Sequence, residues 1–379
     1  MQRVLRSGVA PLNTLVLPTK EPQLPETPAA LVDRAFGATN RARHFAKYFE
    51  ENGTPTPENA WLHVYRLLLW IDRTTGLAHC YESDKSQPGR HWYGRSLAFH
   101  AWLADELGVP PESGGAQLDW LFRKAIEDVV KIAGTVKATR TSAAAIQRAK
   151  FADKNMPEPG EDPELAVIIK EALQKYLKGE PTPDEWRHLT QEIFAHFALE
   201  NKRRNLVGEG FEDLLGEIIR RIPSKTKLEV GTRVPIEEIR GFTAPSAGDK
   251  EKKIDLVIQR LAQPRRVLTT VKWSIRADRE EQFASDFAAY VKLERAGEIF
   301  DYVLVTNEFD PARLVAACER PAQNSNLFRH VVHLHPAGLK AAYGSAPKKS
   351  AAKAVEHIAS GRLISLADWL KRLASKSQT

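Results

Sequence analysis

Two charged residues sit inside apolar runs of strand length. Asp255 falls near the start of KIDLVIQRL (253–261), and Lys272 lies seventeen residues later, near the end of RRVLTTVKWSI (265–275). Period-two alternation puts Thr270, Lys272 and Ser274 on one face of the second run, and Val271 and Trp273 on the other. An ammonium in an apolar strand needs a carboxylate or a phosphate beside it, because burying it unpaired is costly. Phosphodiester hydrolysis assisted by a divalent cation uses this set of groups. Carboxylates hold the cation, the cation activates water, and a fixed positive charge polarises the scissile phosphate. A strand-end lysine that snorkels to solvent gives the same pattern, so the pair alone leaves both readings open.

The residues after the lysine narrow the choice. Arg276, Asp278 and Arg279 follow within a single short segment, Ser274-Ile275-Arg276-Ala277-Asp278-Arg279. Arginine donates bidentately to guanine O6 and N7, and aspartate accepts from cytosine N4, so the segment has the chemistry to read G·C pairs in a major groove. Asp278 also suits a helix N-cap, with Glu280 and Glu281 favouring the positive helix end. The two roles are compatible.

The elements that must carry these residues divide the chain unevenly. Residues 1–28 are rich in Pro and Thr and read as an extended arm. Amphipathic helices are expected over 29–51, 60–72, 95–107, 116–133, 164–178 and 183–200, with a breaker cluster at 156–164. A further helix is expected over 206–222. Strand-like runs then follow at 227–235, 253–261, 265–275, 302–307 and 329–335, with a helix near 279–296 among them. The expected fold is α/β, a mixed sheet flanked by helices, in a C-terminal domain of residues 201–379 behind a helical N-terminal domain of residues 29–200.

Composition limits the class. The 379 residues are 42% hydrophobic and 27% charged, enough apolar matter for a packed core. The net charge of +7 suits a polyanionic partner. No apolar stretch is long enough to span a membrane and no signal peptide is visible, while Cys80 and Cys318 have no metal-knuckle or disulfide spacing. A reduced, cytoplasmic setting is expected. In the segment Pro88–Ser96, Arg90, His91 and Arg95 are candidates for contact with DNA phosphate or with flanking base pairs, and Trp92 and Tyr93 for packing. His330, His333 and His335 lie on one expected strand, where alternation puts His333 and His335 on one face, but no partner makes this a metal site. The Lys-rich stretch Pro347–Lys353 is expected to be a loop.

The spacing of Lys272, Arg276, Asp278 and Arg279 resembles the type II restriction endonucleases of the PD-(D/E)XK fold, in particular the SgrAI-like group that recognises sites containing CCGG. The resemblance covers residues 200–310 and implies a catalytic Lys272, a metal-binding Asp255, and contact of the Arg-Asp-Arg set with the CCGG core. Thr270 stands where an acid usually precedes the lysine by two. The group takes its second carboxylate from the following helix, which implies Asp286, fourteen residues after Lys272, with Glu281 as a competitor at another spacing. The segment Asn205–Glu212 resembles the group's Gly-Glu helix, whose glutamate joins the metal site. Glu209 is the direct match, and Glu212, one turn on along the same face, is the alternative.

By this resemblance the expected activity is Mg²⁺-dependent, site-specific cleavage of double-stranded DNA at a palindromic site, leaving 5′-phosphates. Asp255, Asp286 and Glu209 would be the metal ligands. A homodimer is expected, since a palindrome matches two-fold symmetry and two strands need two sites, with a tetramer also open. A structure-specific repair or recombination nuclease of the same fold, or a DNA-binding protein without activity, are the alternatives. Thr270 in place of the acid keeps the last one in view.

Overall fold

The computed structural model describes residues 34–82, 85–129, 163–174, 179, 181–225, 227–246, 248, 251–260, 265–276, 280–322 and 325–375. The expected arm over 1–28 lies outside them, as does most of the breaker cluster at 156–164. Helices come first: α1 (Ala38–Asn52), α2 (Ala60–Leu68), α3 (Tyr93–Leu107), a helical stretch over 120–129, α4 (Pro163–Gln174) and α5 (Pro183–Arg221). Then come strands β1 (Leu228–Pro235), β2 (Lys253–Arg260) and β3 (Arg266–Lys272), helix α6 (Glu280–Leu293) and strand β4 (Phe300–Thr306). Helix α7 (Pro311–Glu319), the short strands β5 (Pro321–Ala322) and β6 (Ser325–Asn326), and β7 (His330–His333) follow. The chain closes with α8 (Pro336–Tyr343), α9 (Ser350–Ala359), β8 (Leu363–Ser365) and α10 (Leu366–Ala374).

The sheet is mixed and six-stranded, in the order β1-β2-β3-β4-β7-β8, so the α/β expectation is met. Strands β1, β2 and β3 pair antiparallel; residues 261–265 join β2 to β3, a short connection that this pairing allows, while the longer stretch 236–252 joins β1 to β2. The pairs β3–β4, β4–β7 and β7–β8 are parallel, and each needs a crossover. Helix α6 supplies the first, between Lys272 and Phe300. Strand β4 is apolar on both faces and buried from Tyr302 to Thr306, as a central parallel strand should be.

Helix α5 replaces the two helices expected over 183–200 and 206–222 by one of 39 residues. It starts on a capping box, in which Thr182 Oγ1 accepts from the Glu185 backbone at 3.3 Å and Glu185 Oε2 accepts from the Thr182 N–H at 2.7 Å. Asp184 and Glu185 in its first turn and Arg220 and Arg221 in its last suit the helix dipole. No Pro or Gly interrupts residues 200–207, and the Arg203 guanidinium there is buried against Asp119 at 2.9 Å and over the Phe122 ring. The domain boundary expected near residue 200 thus falls inside a continuous helix. Among the described residues all eight strands lie after it, and the buried side chains of both halves form one cluster.

Two layers cover the sheet. Register places Thr232, Leu256 and Thr269 on one face, and there α5 packs so closely that a Cβ on Gly216 would lie 2.9 Å from Thr232 Cγ2. Leu268, Thr270 and Lys272 share the other face with Tyr302, and there α6 lays Phe287 and Tyr290 on the Tyr302 ring, at 5.7 Å each. The stretch Pro347–Lys353 is not all loop: α9 begins at Ser350. The helix expected over 60–72 stops at Leu68, where the backbone turns extended and Ile71 bridges Ala78. Cys80 and Cys318 are both free and buried, and burial pushes each thiol up to about 12. No described helix is long and apolar enough to cross a membrane.

Candidate active site

The antiparallel pairing of β2 with β3 brings the start of one strand beside the end of the other. Asp255 therefore faces Thr270 and Lys272 across a single strand spacing. Lys272 Nζ lies 2.6 Å from Asp255 Oδ2. The same oxygen accepts the Val271 N–H at 2.8 Å and the Thr270 hydroxyl at 3.1 Å. Three donors thus fix one carboxylate oxygen, and none of the described residues bonds the other. Neither side chain is deeply buried, at 21% exposed for Asp255 and 30% for Lys272, so substrate can reach both. Thr270, which stands where an acid was sought, spends its hydroxyl on orienting Asp255.

Helix α5 adds a second carboxylate, and it is Glu212. Its pKa is raised to about 7, first by burial and then by the charge of Asp255, against the lowering effect of Lys272 and Arg233. The charges of Asp255 and Lys272 both act on Glu212, which therefore lies close to that pair. Arg233 reaches down from β1 to bind Glu212 at 3.0 Å and Asp213 at 2.5 Å. Its own backbone sits at φ +51, a conformation that non-glycine residues seldom adopt. Glu209, the direct match by spacing, turns elsewhere: its carboxylate is 59% exposed and pairs with Arg41 at 2.8 Å. Arg41, which is buried, also takes Asp213 and the Phe36 carbonyl, so α1 claims the upstream part of this helix face.

Helix α6 covers the face opposite α5, the one that carries Thr270 and Lys272, and brings Asp286 to it. Burial first, then the charges of Asp286 and Asp255, raise the Tyr290 hydroxyl, and the same two carboxylates act on Tyr302, so both lie near these rings. Lys252, just before β2, binds Asp286 at 2.7 Å. Glu281 is exposed on the first turn of α6. Glu212, Asp255 and Asp286 are all hard oxygen donors, which suits Mg²⁺, a cation that takes one or two carboxylates and keeps several waters. Among the described residues no three acidic, histidine or cysteine side chains converge tightly enough to enclose a cation by themselves. Water would have to complete the shell.

The base-reading candidates are placed in part. Arg276 is exposed, four residues past Lys272, while Asp278 and Arg279 lie outside the described residues. Sequence reasoning missed what holds this segment. The buried carboxylate of Glu308, just past β4, accepts the Ile275 N–H at 2.7 Å. Arg90 is exposed at the surface, but the Arg95 guanidinium stacks over Trp92 at 4.4 Å and Tyr343 at 5.3 Å. His333 is fully buried and burial lowers it to about 3, a core histidine.

These features define a mixed α/β protein with an Asp–Lys pair on adjacent strands and two helix-borne carboxylates beside it. No protein-family model matches the chain, and no curated protein does. Among solved structures, it is similar to the complex of the restriction endonuclease PspGI with substrate DNA. The match is 12% identical, covers 80% of this chain and 96% of that one, and has a TM-score of 0.31. No residue role is carried over from that likeness.

Proposed function

We propose that this chain is a PD-(D/E)XK-type, site-specific endonuclease that hydrolyses double-stranded DNA. The observation that carries the reading is the bond between Lys272 and Asp255 on adjacent strands, with Glu212 and Asp286 supplied by the helices on either side. Asp255, Asp286 and Glu212 would hold Mg²⁺, which when bound supplies Lewis acidity and a water of lowered pKa. Glu212 takes the helix position in this reading because Glu209 is committed to Arg41.

The protein groups have separable tasks. Thr270, the Val271 N–H and Lys272 together fix one Asp255 oxygen, leaving the other to face the ligand. The Lys272 ammonium, within reach of solvent, steadies the charge that builds on the non-bridging phosphate oxygens as water attacks phosphorus. The P–O3′ bond breaks, leaving a 3′-hydroxyl and a 5′-phosphate. Arg276, with Asp278 and Arg279, reads a G·C-rich core containing CCGG, and Arg90 contacts the backbone nearby. Cutting both strands of a palindrome calls for a homodimer. A cytoplasmic setting belongs to this reading, and free rather than bridged thiols at Cys80 and Cys318 support it.

Purified protein incubated with plasmid and Mg²⁺ should give discrete fragments whose sequenced ends share one motif and carry 5′-phosphate. Lys272→Ala should cut about 10²–10³-fold more slowly while still binding the site. Intact plasmid, or ends scattered at random, would overturn the reading. A second reading, a DNA-binding protein without catalysis, is favoured by Thr270 at the acid position. Site-specific binding by the wild type with no cleavage would support it.

A further inference from the structure

Strands β3 and β4 run parallel and in register up to Lys272 opposite Thr306. Beyond that point the backbone ladder stops, yet the two chains stay joined. The Asn307 N–H donates to the Trp273 carbonyl at 3.0 Å. Then a side chain takes over. Glu308 Oε2 accepts the Ile275 N–H and Oε1 accepts the Asp310 N–H, both at 2.7 Å. Glu308 is only 3% exposed. Arg313 approaches Glu308 Oε2 at 3.6 Å, and the Glu308 backbone N–H donates to Thr306 Oγ1 at 3.1 Å.

A carboxylate is an expensive choice for such a place. Burial raises its pKa, and only two N–H groups and one distant guanidinium offset the cost. What it supplies is two acceptor oxygens and no donor, matched to two N–H groups on different segments. It therefore fixes the chain between Lys272 and Arg276 to the end of β4. That end is itself held from the helical half: Tyr65 donates to Asn307 Oδ1 at 2.8 Å, Tyr81 to the Phe309 carbonyl at 2.8 Å, and Lys85 to Asp310 at 3.0 Å.

We propose that Glu308 is a specificity-positioning residue, whose buried carboxylate sets the path of residues 273–276 and thereby places Arg276 at a fixed offset from the Asp255–Lys272 pair. The inference rests on the endonuclease reading and deepens it. Glu308 touches neither substrate nor the reacting atoms. It acts through the Ile275 backbone.

The test is Glu308→Gln in the full chain. The amide keeps size and shape but offers one acceptor, and its NH₂ must face one of the two N–H groups. Hydrogen exchange at Ile275 should speed about tenfold or more, while Thr269 to Val271 in the ladder keep their protection. The preference for the chosen site over sites with one base pair changed should fall at least about tenfold, mostly through KM, since a bidentate base contact is worth that much discrimination. A merely structural role would instead lower the folded fraction and cut all sites in the same proportion. Unchanged discrimination, or unchanged exchange at Ile275, overturns the proposal. If Glu308→Gln does not fold, Tyr65→Phe loosens the same segment from the other side. It should lower discrimination by about fivefold, since one hydrogen bond is worth roughly 1 kcal/mol, and no change there is equally fatal. A wild type that shows no site preference sinks the endonuclease reading itself, and the inference with it. The exchange experiment, which needs no DNA, still separates a missing clamp from a missing activity.

Discussion

At the scale of single residues, the protonation of Glu212 has a sign that can be worked out. Its folded pKa of about 7 lies above the ordinary value of 4.5. The folded state therefore binds more protons than the unfolded state between those values, and stability falls as pH rises through that window. Below it the group costs nothing, and above it the full cost of an ionised, buried carboxylate beside Asp255 remains. Glu212→Gln should leave stability near the wild type at pH 5 and raise it relative to the wild type at pH 8. The difference should be on the order of 2 kcal/mol by denaturant titration. Equal gaps at the two pH values would show that the carboxyl is not perturbed. Cation affinity should move the opposite way and strengthen through pH 7, because a ligand must be deprotonated. Residue types alone could not choose between Glu209 and Glu212, which share a helix face at one-turn spacing. The choice is made by how α5 is rotated against the sheet, and by Arg41 on a distant helix. Asp255 and Lys272 were legible because strand alternation and a short connection leave little freedom. Glu308 was not, since a single acid after a strand carries no periodic signal.

At the scale of elements, the α5–β1 contact determines how far Glu212 stands from Asp255. Gly216 lies one turn beyond Glu212, and any Cβ there would meet Thr232 at 2.9 Å, with Leu256 at 3.5 Å. Glycine inside a helix costs about 1 kcal/mol relative to alanine, so its presence is tolerated for the close approach. Gly216→Val should destabilise the fold by about 1–3 kcal/mol through overpacking, and should slow cleavage more than it weakens DNA binding. Urea melts that show equal or greater stability would mean that the helix can shift without strain. The strand runs at 227–235, 253–261, 265–275, 302–307 and 329–335 emerged within a few residues of their expected limits. Period-two patterning and buried β-branched residues are strong signals. Helices α7, α8, α9 and α10 were not anticipated. The first three are short and alanine-rich, and their partners are remote in sequence or equally unanticipated: α7 and α9 pack on each other, and α8 packs on α3, where Gly338 lies against the Trp102 ring. The joining of two expected helices into α5 has a similar cause. The polar turn at 201–205 reads as a break until Arg203 finds Asp119 and Phe122.

At the scale of the whole molecule, the helical half does more than cover a sheet. Its side chains Tyr65, Tyr81 and Lys85 reach the segment after β4, which holds the strip leading from Lys272 to Arg276. Sequence reading divided the chain near residue 200, but it gave no means of seeing these bonds, which span more than two hundred positions. The buried thiols carry a practical consequence. Cys80 and Cys318 are the chain's only cysteines, and neither offers appreciable thiolate at neutral pH. Native protein should therefore take up no maleimide until it unfolds, and stoichiometric labelling of the native state would refute the burial. A single cysteine introduced at exposed Ser274 would then be the one attachment point for a fluorophore. The movement of the strip beside the lysine could be followed one molecule at a time, with no need to strip out the natural residues first.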